Sequence, residues 1–377
     1  MHRIIIAVGF MISICPQLAL SQNDRPAREG YVNMHHFLQP FWKADTIYSE
    51  AVQPIKDGDK NAEGRLLFKA KKIITVKDTY LQKEYKKGKD WKYKNGKIVL
   101  TAKSAIPWFT RNELIFDQKK EGTSLPAKEQ GRFVLFSERG LLQSRQLAVT
   151  YIKKKTSTWE GPRPAYAENL LPAAFAKLNT RQPLKIVFYG NSIETGANSS
   201  VTLDQAPFLP TWPEMVVYNL RNHYGNAVPF KNVSKGGMSA KWGLENTNTL
   251  VNVENPDLVI IGFGMNDGTG KVPPEIFIEQ IKGIIQTARS ANPQCEFIVI
   301  STILANPEAV HSQIQREYLK PVTALTGQGI AIADMTSIHE ELLRHKAYQD
   351  MTGNNINHPN DYLARWYAQV ISALLIP

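Results

Sequence analysis

Two patterns of hydrophobic and polar positions divide the chain near residue 160. From about residue 31 to residue 155, short β-rich runs alternate with turn residues, and no long segment shows a helical period. The predicted strands of this part are residues 66–68, 72–76, 97–101, 132–137 and 147–152. A series of short strands is typical of a β-sandwich, and we predict a jelly-roll-like domain over residues 22–160.

The clearest hairpin signal in this part surrounds Asn95 and Gly96. Residues 91–94 alternate between apolar and polar, the Asn-Gly pair tolerates positive φ, and residues 97–100 provide the returning strand. The tryptophans of this part have two interpretations, because aromatic residues at strand spacing either pack in the core or form a platform on which a sugar ring stacks. They are Trp42, Trp91 and Trp108.

After residue 155 the pattern changes. Residues 156–164 are rich in glycine and proline and resemble a linker. Buried-strand runs then recur at residues 184–189, 228–233, 258–263, 297–301 and 330–333. Helices are predicted near residues 165–179, 212–224, 274–290, 307–325 and 359–375. Apolar strands that alternate with helices indicate a parallel sheet covered on both faces, and we predict an α/β domain over residues 161–377.

Composition and charge narrow the class of protein. The 377 residues are 43% hydrophobic and 21% charged, which excludes a disordered chain, and the length favours two domains. The formal net charge is +11, with +1 from Arg3, +13 in residues 22–165 and −3 in residues 166–377. The basic part has neither zinc-finger spacing nor an arginine-rich helix, so nucleic acid is not favoured. A solubilising lysine surface and attraction to an anionic polymer remain as alternatives.

The first 21 residues resemble a secretory signal. A basic start precedes an apolar run over residues 4–14, and small residues are placed for cleavage before Gln22. The run is too short to span a bilayer, so we expect no membrane insertion and an exported, periplasmic or secreted protein. Cleavage would leave Cys295 as the sole cysteine, which excludes an internal disulfide and a multi-cysteine metal site. No histidine pair has metal-ligand spacing on one helix either.

Four polar blocks follow predicted strands or begin a helix in the α/β part. Ser192 lies in the turn after the first strand, and a pair of glycines including Gly237 follows the second. Asn266 comes after the third strand, and His358 precedes the last helix. Ligands of open parallel sheets bind beyond the carboxyl ends of the strands, so these four residues are candidates for one site. Each block alone is also compatible with an ordinary turn or helix cap.

Together and in this order, the four blocks resemble the SGNH hydrolases, also called GDSL esterases. The resemblance covers about residues 185–375 and implies a three-layer, flavodoxin-like parallel sheet preceded by the β-sandwich. It implies that Ser192 is the nucleophile and His358 the base. The oxyanion hole would use the backbone N–H groups of Ser192 and Gly237 and the side-chain amide of Asn266. A β-rich module ahead of such a domain is similar to the layout of bacterial carbohydrate esterases.

The sequence departs from the family pattern at two positions. Asn191 stands beside the nucleophile where the family usually has aspartate. Asn355 occupies the slot three residues before the histidine, where the family generally has the aspartate that orients the base. Three alternatives remain for the third member: a backbone carbonyl that leaves a dyad, a carboxylate from elsewhere such as Asp350, or Asn355 itself.

The resemblance implies a carboxylic ester hydrolase that works by two-step acyl transfer and needs no metal or organic cofactor. An exported enzyme with a β-rich partner domain suits a small acyl group on a polar scaffold. We therefore expect O-acetyl esters of an oligosaccharide or polysaccharide, with an anionic polymer as one candidate. A lipid or thioester substrate is the alternative within the enzyme class. The alternative outside it is an inactive carbohydrate-binding protein.

Overall fold

The computed structural model describes residues 32–377, so the predicted signal segment lies outside the described residues. Two regions follow one another along the described chain. Residues 46–153 hold strands β1 to β11 and form the part that we call the β region. Residues 172–375 alternate helices and strands and form the part that we call the α/β region. Among residues 32–377, no helix has the length and apolar character needed to cross a membrane.

The β region contains three small sheets. One has the order β1-β11-β4, a second β5-β6-β3-β2-β7 and a third β8-β10-β9. The pairing is antiparallel except between β2 and β7. The elements of the described β region and its approach are α1 (Met34–Phe37), β1 (Thr46–Val52), β2 (Ile55–Lys56), β3 (Glu63–Arg65), β4 (Ala70–Asp78), β5 (Trp91–Lys94), β6 (Lys97–Leu100), β7 (Phe109–Thr110), α2 (Arg111–Leu114), β8 (Ile115–Phe116), β9 (Ser124–Pro126), β10 (Phe133–Leu135) and β11 (Leu147–Lys153).

The predicted hairpin is confirmed, since β5 pairs antiparallel with β6 and both Asn95 and Gly96 have positive φ. The strand predicted at residues 66–68 is wrong. The N–H of Leu67 donates to a Glu50 carboxylate oxygen at 2.7 Å instead of joining a strand ladder. A three-tryptophan sugar platform is also excluded, because Trp42 and Trp91 are buried in the core. Trp108 is partly exposed.

The α/β region is built on a five-stranded parallel sheet of order β13-β12-β14-β15-β16. This is the flavodoxin-like order 2-1-3-4-5, and it confirms the predicted fold class. The elements of this region are α3 (Pro172–Asn179), β12 (Ile186–Gly190), α4 (Trp212–Tyr224), β13 (Phe230–Asn232), α5 (Ala240–Leu250), β14 (Leu258–Gly262), α6 (Met265–Thr269), α7 (Pro274–Ala291), β15 (Glu296–Ser301), α8 (Leu319–Thr323), β16 (Ile330–Asp334), α9 (Met335–His345) and α10 (Asp361–Leu375).

Alternate residues of the central strands enter two different cores. On β12, Ile186 and Phe188 pack with the core that contains α4 and α10, whereas Val187 and Tyr189 pack with the core that contains α5 and α7. Because successive side chains of a strand point to opposite faces, the sheet is covered on both sides. This arrangement gives the three layers that the apolar strands predicted.

One predicted helix is largely absent. Residues 307–325 form only a 3-10 turn at Gln315–Tyr318 followed by α8. The preceding stretch pairs instead with the β region, where Ala309 bridges Ala127 and the N–H of Val310 donates to the carbonyl of Pro126. The competing backbone partners lie about 180 positions away in the sequence, so local periodicity could not indicate them. Helices α5 and α9 form without having been predicted.

The two regions share one hydrophobic core and a buried polar contact. Residues of β1, β4 and β11 belong to the same apolar cluster as α10. Lys346 Nζ lies 2.6 Å from a carboxylate oxygen of Glu50, and both side chains are fully buried. Arg365 of α10 donates to the carbonyl of Tyr48 in β1 at 2.8 Å. The β region is therefore packed into the α/β region rather than attached by a free linker.

Candidate active site

Ser192 lies in the turn that leaves the carboxyl end of β12. The side chain of Asn191 holds this turn, because its Nδ2 donates to the carbonyl of Gly262 at 3.0 Å and its Oδ1 accepts from the N–H of Ile193 at 2.9 Å. A Cβ on Gly190 would meet Glu194 Oε2 at 2.4 Å, so only glycine fits there. The turn places the half-buried Ser192 hydroxyl at the edge of the sheet.

His358 reaches the same point from the segment before α10. Its Nε2 lies 2.9 Å from Ser192 Oγ. Its backbone is fixed on both sides, since its N–H donates to Asn354 Oδ1 at 3.1 Å and its carbonyl accepts from the N–H of Gly353 at 2.9 Å. A hydroxyl that donates to a neutral imidazole at this distance has the geometry of a nucleophile and its general base.

The other imidazole nitrogen faces two side chains that the sequence analysis did not identify. His358 Nδ1 lies 2.6 Å from Asn198 Oδ1 and 3.2 Å from Glu138 Oε2. Both oxygens accept hydrogen bonds, so they favour the tautomer with the proton on Nδ1. That tautomer leaves Nε2 free to accept the proton of Ser192.

Glu138 belongs to the β region, in the loop after β10. Its Oε1 accepts from Asn354 Nδ2 at 3.0 Å, and its side chain is 44% exposed. Partial burial by itself raises the pKa of this carboxyl. The hydrogen bond and attraction of His358, with the hydrogen bond from Asn354, outweigh that effect and hold the pKa below its ordinary value. Glu138 is accordingly an anion at neutral pH.

Neither side chain considered as a third member contacts His358. Asn355 has a φ of 67° and points away, and its amide donates to the carbonyl of Leu135 at 3.0 Å and accepts from Gln349 at 2.9 Å. Asp350 accepts from the N–H groups of Gln53 and Ala347. The expectation that Asn355 or Asp350 orients the histidine is therefore corrected. So is the backbone-carbonyl alternative, because the acceptors at Nδ1 in the described chain are side-chain oxygens.

The loop that carries Gly237, one of the candidate oxyanion donors, lies beside Ser192. A Cβ placed on Gly236 would lie 3.7 Å from Ser192 Cβ, so the loop after β13 runs alongside the nucleophile. Gly237 adopts a φ of 77°, which favours glycine. Within residues 32–377, the N–H groups of Ser192 and Gly237 donate to no protein acceptor. Both are free to receive negative charge.

Asn266 is tied to the same loop, since its Nδ2 donates to the carbonyl of Met238 at 2.9 Å. The amide nitrogen has a second hydrogen that this bond does not use. The buried carboxylate of Asp267 fastens the two segments together, because it accepts from the N–H of Ala240 at 2.8 Å and from that of Gly264 at 3.0 Å. The loop and the start of α6 are therefore held as one unit.

The geometry agrees with a comparison of the sequence with protein families. The model of the GDSL-like Lipase/Acylhydrolase family matches residues 188–365. This segment is a GDSL-like lipase/acylhydrolase domain. The GDSL-like domain contains Ser192, Gly237, Asn266 and His358, whereas Glu138 lies outside it.

Individual relatives of the GDSL-like domain are distant. An arylesterase from Vibrio mimicus is 28% identical over 107 residues, which are 28% of this chain and 50% of that protein. The chain thus spans about half the length of this curated relative. A two-domain esterase (CEX) active on acetylated mannans is 18% identical. The match covers 56% of this chain and 54% of the CEX chain, with a TM-score of 0.45. Axe2, an acetylxylan esterase from Geobacillus stearothermophilus, is 15% identical over 50% of this chain and 92% of its own, with a TM-score of 0.41.

A buried carboxyl group, that of Glu194, packs against the turn that carries the nucleophile of the GDSL-like domain. Glu194 is buried, and one of its oxygens accepts from the N–H of Asn191 at 2.9 Å. Desolvation by burial raises its pKa to about 8, so this side chain is protonated at neutral pH. Residues 32–377 hold no group of three or more His, Cys, Asp or Glu side chains placed to bind a metal ion.

Proposed function

We propose that this protein is a serine esterase that hydrolyses O-acetyl esters on a carbohydrate. The observation that carries the proposal is the 2.9 Å contact between Ser192 Oγ and His358 Nε2, with acceptors for the opposite imidazole nitrogen already in place. An inactive binding protein has no need for a hydroxyl, a base and an orienting acceptor in this order.

In the first step, Ser192 Oγ attacks the ester carbonyl carbon while its proton passes to His358 Nε2. The carbonyl oxygen becomes an oxyanion that accepts from the N–H groups of Ser192 and Gly237 and from the amide of Asn266. When the carbon–oxygen bond to the sugar breaks, the imidazolium returns the proton to the departing hydroxyl oxygen. Ser192 then carries the acyl group.

In the second step, His358 takes a proton from a water molecule that attacks the acyl-enzyme carbonyl. The same donors stabilise the second oxyanion, and its collapse releases acetate and restores the hydroxyl of Ser192. The chain's own residues supply every proton transfer in this cycle, so the proposed chemistry uses no cofactor.

A polar substrate is favoured by the surroundings of Ser192. Glu138 and Lys235 present charged side chains, and Asn357 presents an amide that Asn354 holds at 3.2 Å. The loop of Gly236 and Gly237 is exposed rather than covered by an apolar lid. Hydroxyl-rich sugars can hydrogen-bond with such a rim, whereas an acyl chain would lie against groups that it would have to desolvate. A lipid or aryl ester is the alternative acyl donor.

We extend the proposal to export and to the domain boundary near residue 160. The support for export is the signal-like sequence of residues 1–21. The basic N-terminal part supports recruitment of acetylated polymers that carry negative charge, because the net charge of +13 over residues 22–165 attracts anions at low ionic strength. We propose neither nucleic acid nor a membrane as a partner.

The test is a Ser192→Ala variant assayed on p-nitrophenyl acetate, a long-chain ester and a panel of acetylated oligosaccharides. Activity should fall at least 10³-fold with the fold intact, because the hydroxyl supplies chemistry and little packing. Ser290→Ala on the surface of α7 is the matched control and should keep wild-type activity. Wild-type rates in Ser192→Ala would overturn the proposal. If the wild type prefers the long-chain ester, the substrate is a lipid ester and not an acetylated sugar.

A further inference from the structure

A carboxylate from the β region completes the histidine's surroundings. Building on the proposed function, we propose that Glu138 is the charged positioning residue of the esterase and acts through His358, while Asn198 fixes the tautomer. The GDSL-like domain would then hold a nucleophile and a base but not the anion that supports the base. That anion would come from the β region.

Glu138 is held at the site by contacts between the two regions. The carbonyl of Leu135, at the end of β10, accepts from Asn355 Nδ2 at 3.0 Å. Directly after the adjoining β9, Ala127 bridges Ala309 of the α/β region. The loop that carries Glu138 leaves β10 directly, and the N–H of Ser137 donates to the carbonyl of Asn354 at 3.4 Å. Packing between regions, rather than chance proximity, brings the carboxylate to the imidazole.

One asparagine orients both partners. Asn354 Nδ2 donates to Glu138 Oε1 at 3.0 Å, while its Oδ1 accepts from the backbone N–H of His358 at 3.1 Å. Glu138 Oε2 is thereby directed at His358 Nδ1. A surface carboxylate without a role would not need its second oxygen fixed by the residue that also fixes the histidine.

The two acceptors at Nδ1 have different capabilities. Asn198 Oδ1 is the nearer at 2.6 Å, and it accepts the Nδ1 proton without carrying charge. An amide cannot compensate the positive charge that the imidazole gains when it takes the serine proton. Among residues 32–377, Glu138 is the carboxylate found within 4.0 Å of the imidazole. Charge stabilisation therefore falls to Glu138, which stays ionised while the proton moves only between Ser192 Oγ, His358 Nε2 and the substrate.

Glu138→Gln tests this division because it keeps a hydrogen-bonding side chain of the same size and removes the charge. We expect kcat on p-nitrophenyl acetate to fall roughly 10- to 100-fold, with KM within about threefold, since the charge acts on the transition state. The acid limb of the pH profile of kcat/KM should move to lower pH, because an anion that favours the protonated imidazole is gone. Glu121→Gln, at an exposed position of the same region, should match the wild type.

Relocation of the charge gives a second test. The double variant Glu138→Gln/Asn198→Asp places a carboxylate at the 2.6 Å acceptor position. The Asn198 side chain also hydrogen-bonds Glu138, and in the double variant the amide introduced at position 138 can donate to the new carboxylate instead. The double variant should recover kcat to within about threefold of the wild type, clearly above the level of Glu138→Gln alone. A residue that only supported the loop would not be rescued in this way.

Two readouts separate this inference from the proposed function. The rate of labelling by a fluorophosphonate reports activation of Ser192 without any ester substrate. Suppose that Ser192→Ala removes activity and labelling, while folded Glu138→Gln keeps its activity and labelling rate within about threefold of the wild type. Glu138 is then not a positioning residue for His358. If Ser192→Ala keeps its activity, the proposed function itself fails. Loss in Glu138→Gln without a shift of the pH profile and without rescue by Asn198→Asp would overturn the charge role.

Discussion

Glu138 Oε2 lies 3.2 Å from His358 Nδ1, although 220 positions separate the two residues in the sequence. The contact joins the β region to the GDSL-like domain at the point where the chemistry is proposed. The β region is therefore part of the candidate site's architecture and cannot be treated as an independent module that only binds substrate.

We expect residues 161–377 alone to be neither stably folded nor active. Their separation would expose the shared core to water and remove Glu50, the buried partner of Lys346. The intact protein should unfold in one transition by both circular dichroism and tryptophan fluorescence. Added salt should restore neither the folding nor the activity of this fragment, since the contacts it lacks are buried in the intact protein. A soluble fragment with native-like spectra and esterase activity would contradict this expectation.

Glu194 should make stability depend on pH. Its pKa rises from 4.5 to about 8 on folding, so the folded state binds the proton more tightly than the unfolded state. The stabilising contribution is complete below about pH 4.5 and is lost as pH rises through about 8. Glu194→Gln mimics the protonated form. Between about pH 4.5 and pH 8 its free energy of unfolding should fall less than that of the wild type, and the difference should be on the order of a few kcal/mol.

The measurement is urea unfolding of the wild type and Glu194→Gln at pH 5 and pH 8.5. Asp350 and Asp361, whose pKa values burial raises to about 6, are present in both proteins and cancel in the comparison. If the free energy of unfolding changes equally with pH in the two proteins, Glu194 is already ionised in the folded state at both pH values.

Asn266→Ala should lower kcat by about 10²–10³ and change KM much less. The amide donates to Met238 in the free enzyme, and its second hydrogen would meet the oxyanion only as charge develops. Asn246→Ala on α5 is a suitable control, because its side-chain amide donates only within its own helix. A change confined to KM would assign Asn266 to substrate binding instead.

The sequence was sufficient for the sheet and for the residues at its edge, but not for the partners of His358. Apolar strands predict a parallel sheet, and parallel strands bring Ser192 and Asn266 to one edge whatever the loops do. Glu138 and Asn198 reach Nδ1 through packing between regions and through an irregular loop. Neither has a periodicity or a spacing that sequence patterns could reveal. The one local signal, the slot at Asn355, was misleading because the backbone there adopts a φ of 67° that turns the side chain elsewhere.

Asn355→Asp should fail to create a working triad, even though it restores the residue type that the GDSL pattern has in that slot. The side chain is buried and its Nδ2 donates to the carbonyl of Leu135, so an aspartate would set an oxygen against that carbonyl and bury a charge. Stability should fall by at least about 1–3 kcal/mol, the usual cost of an unsatisfied buried acceptor, because the buried charge adds to that cost. The kcat of the folded fraction should stay within about threefold of the wild type, because His358 Nδ1 is already occupied by Asn198 and Glu138. Denaturant unfolding and active-site titration with a fluorophosphonate measure the two quantities separately. A rise in kcat of tenfold or more would mean that the imidazole can turn toward residue 355, and the positioning role proposed for Glu138 would then have to be abandoned.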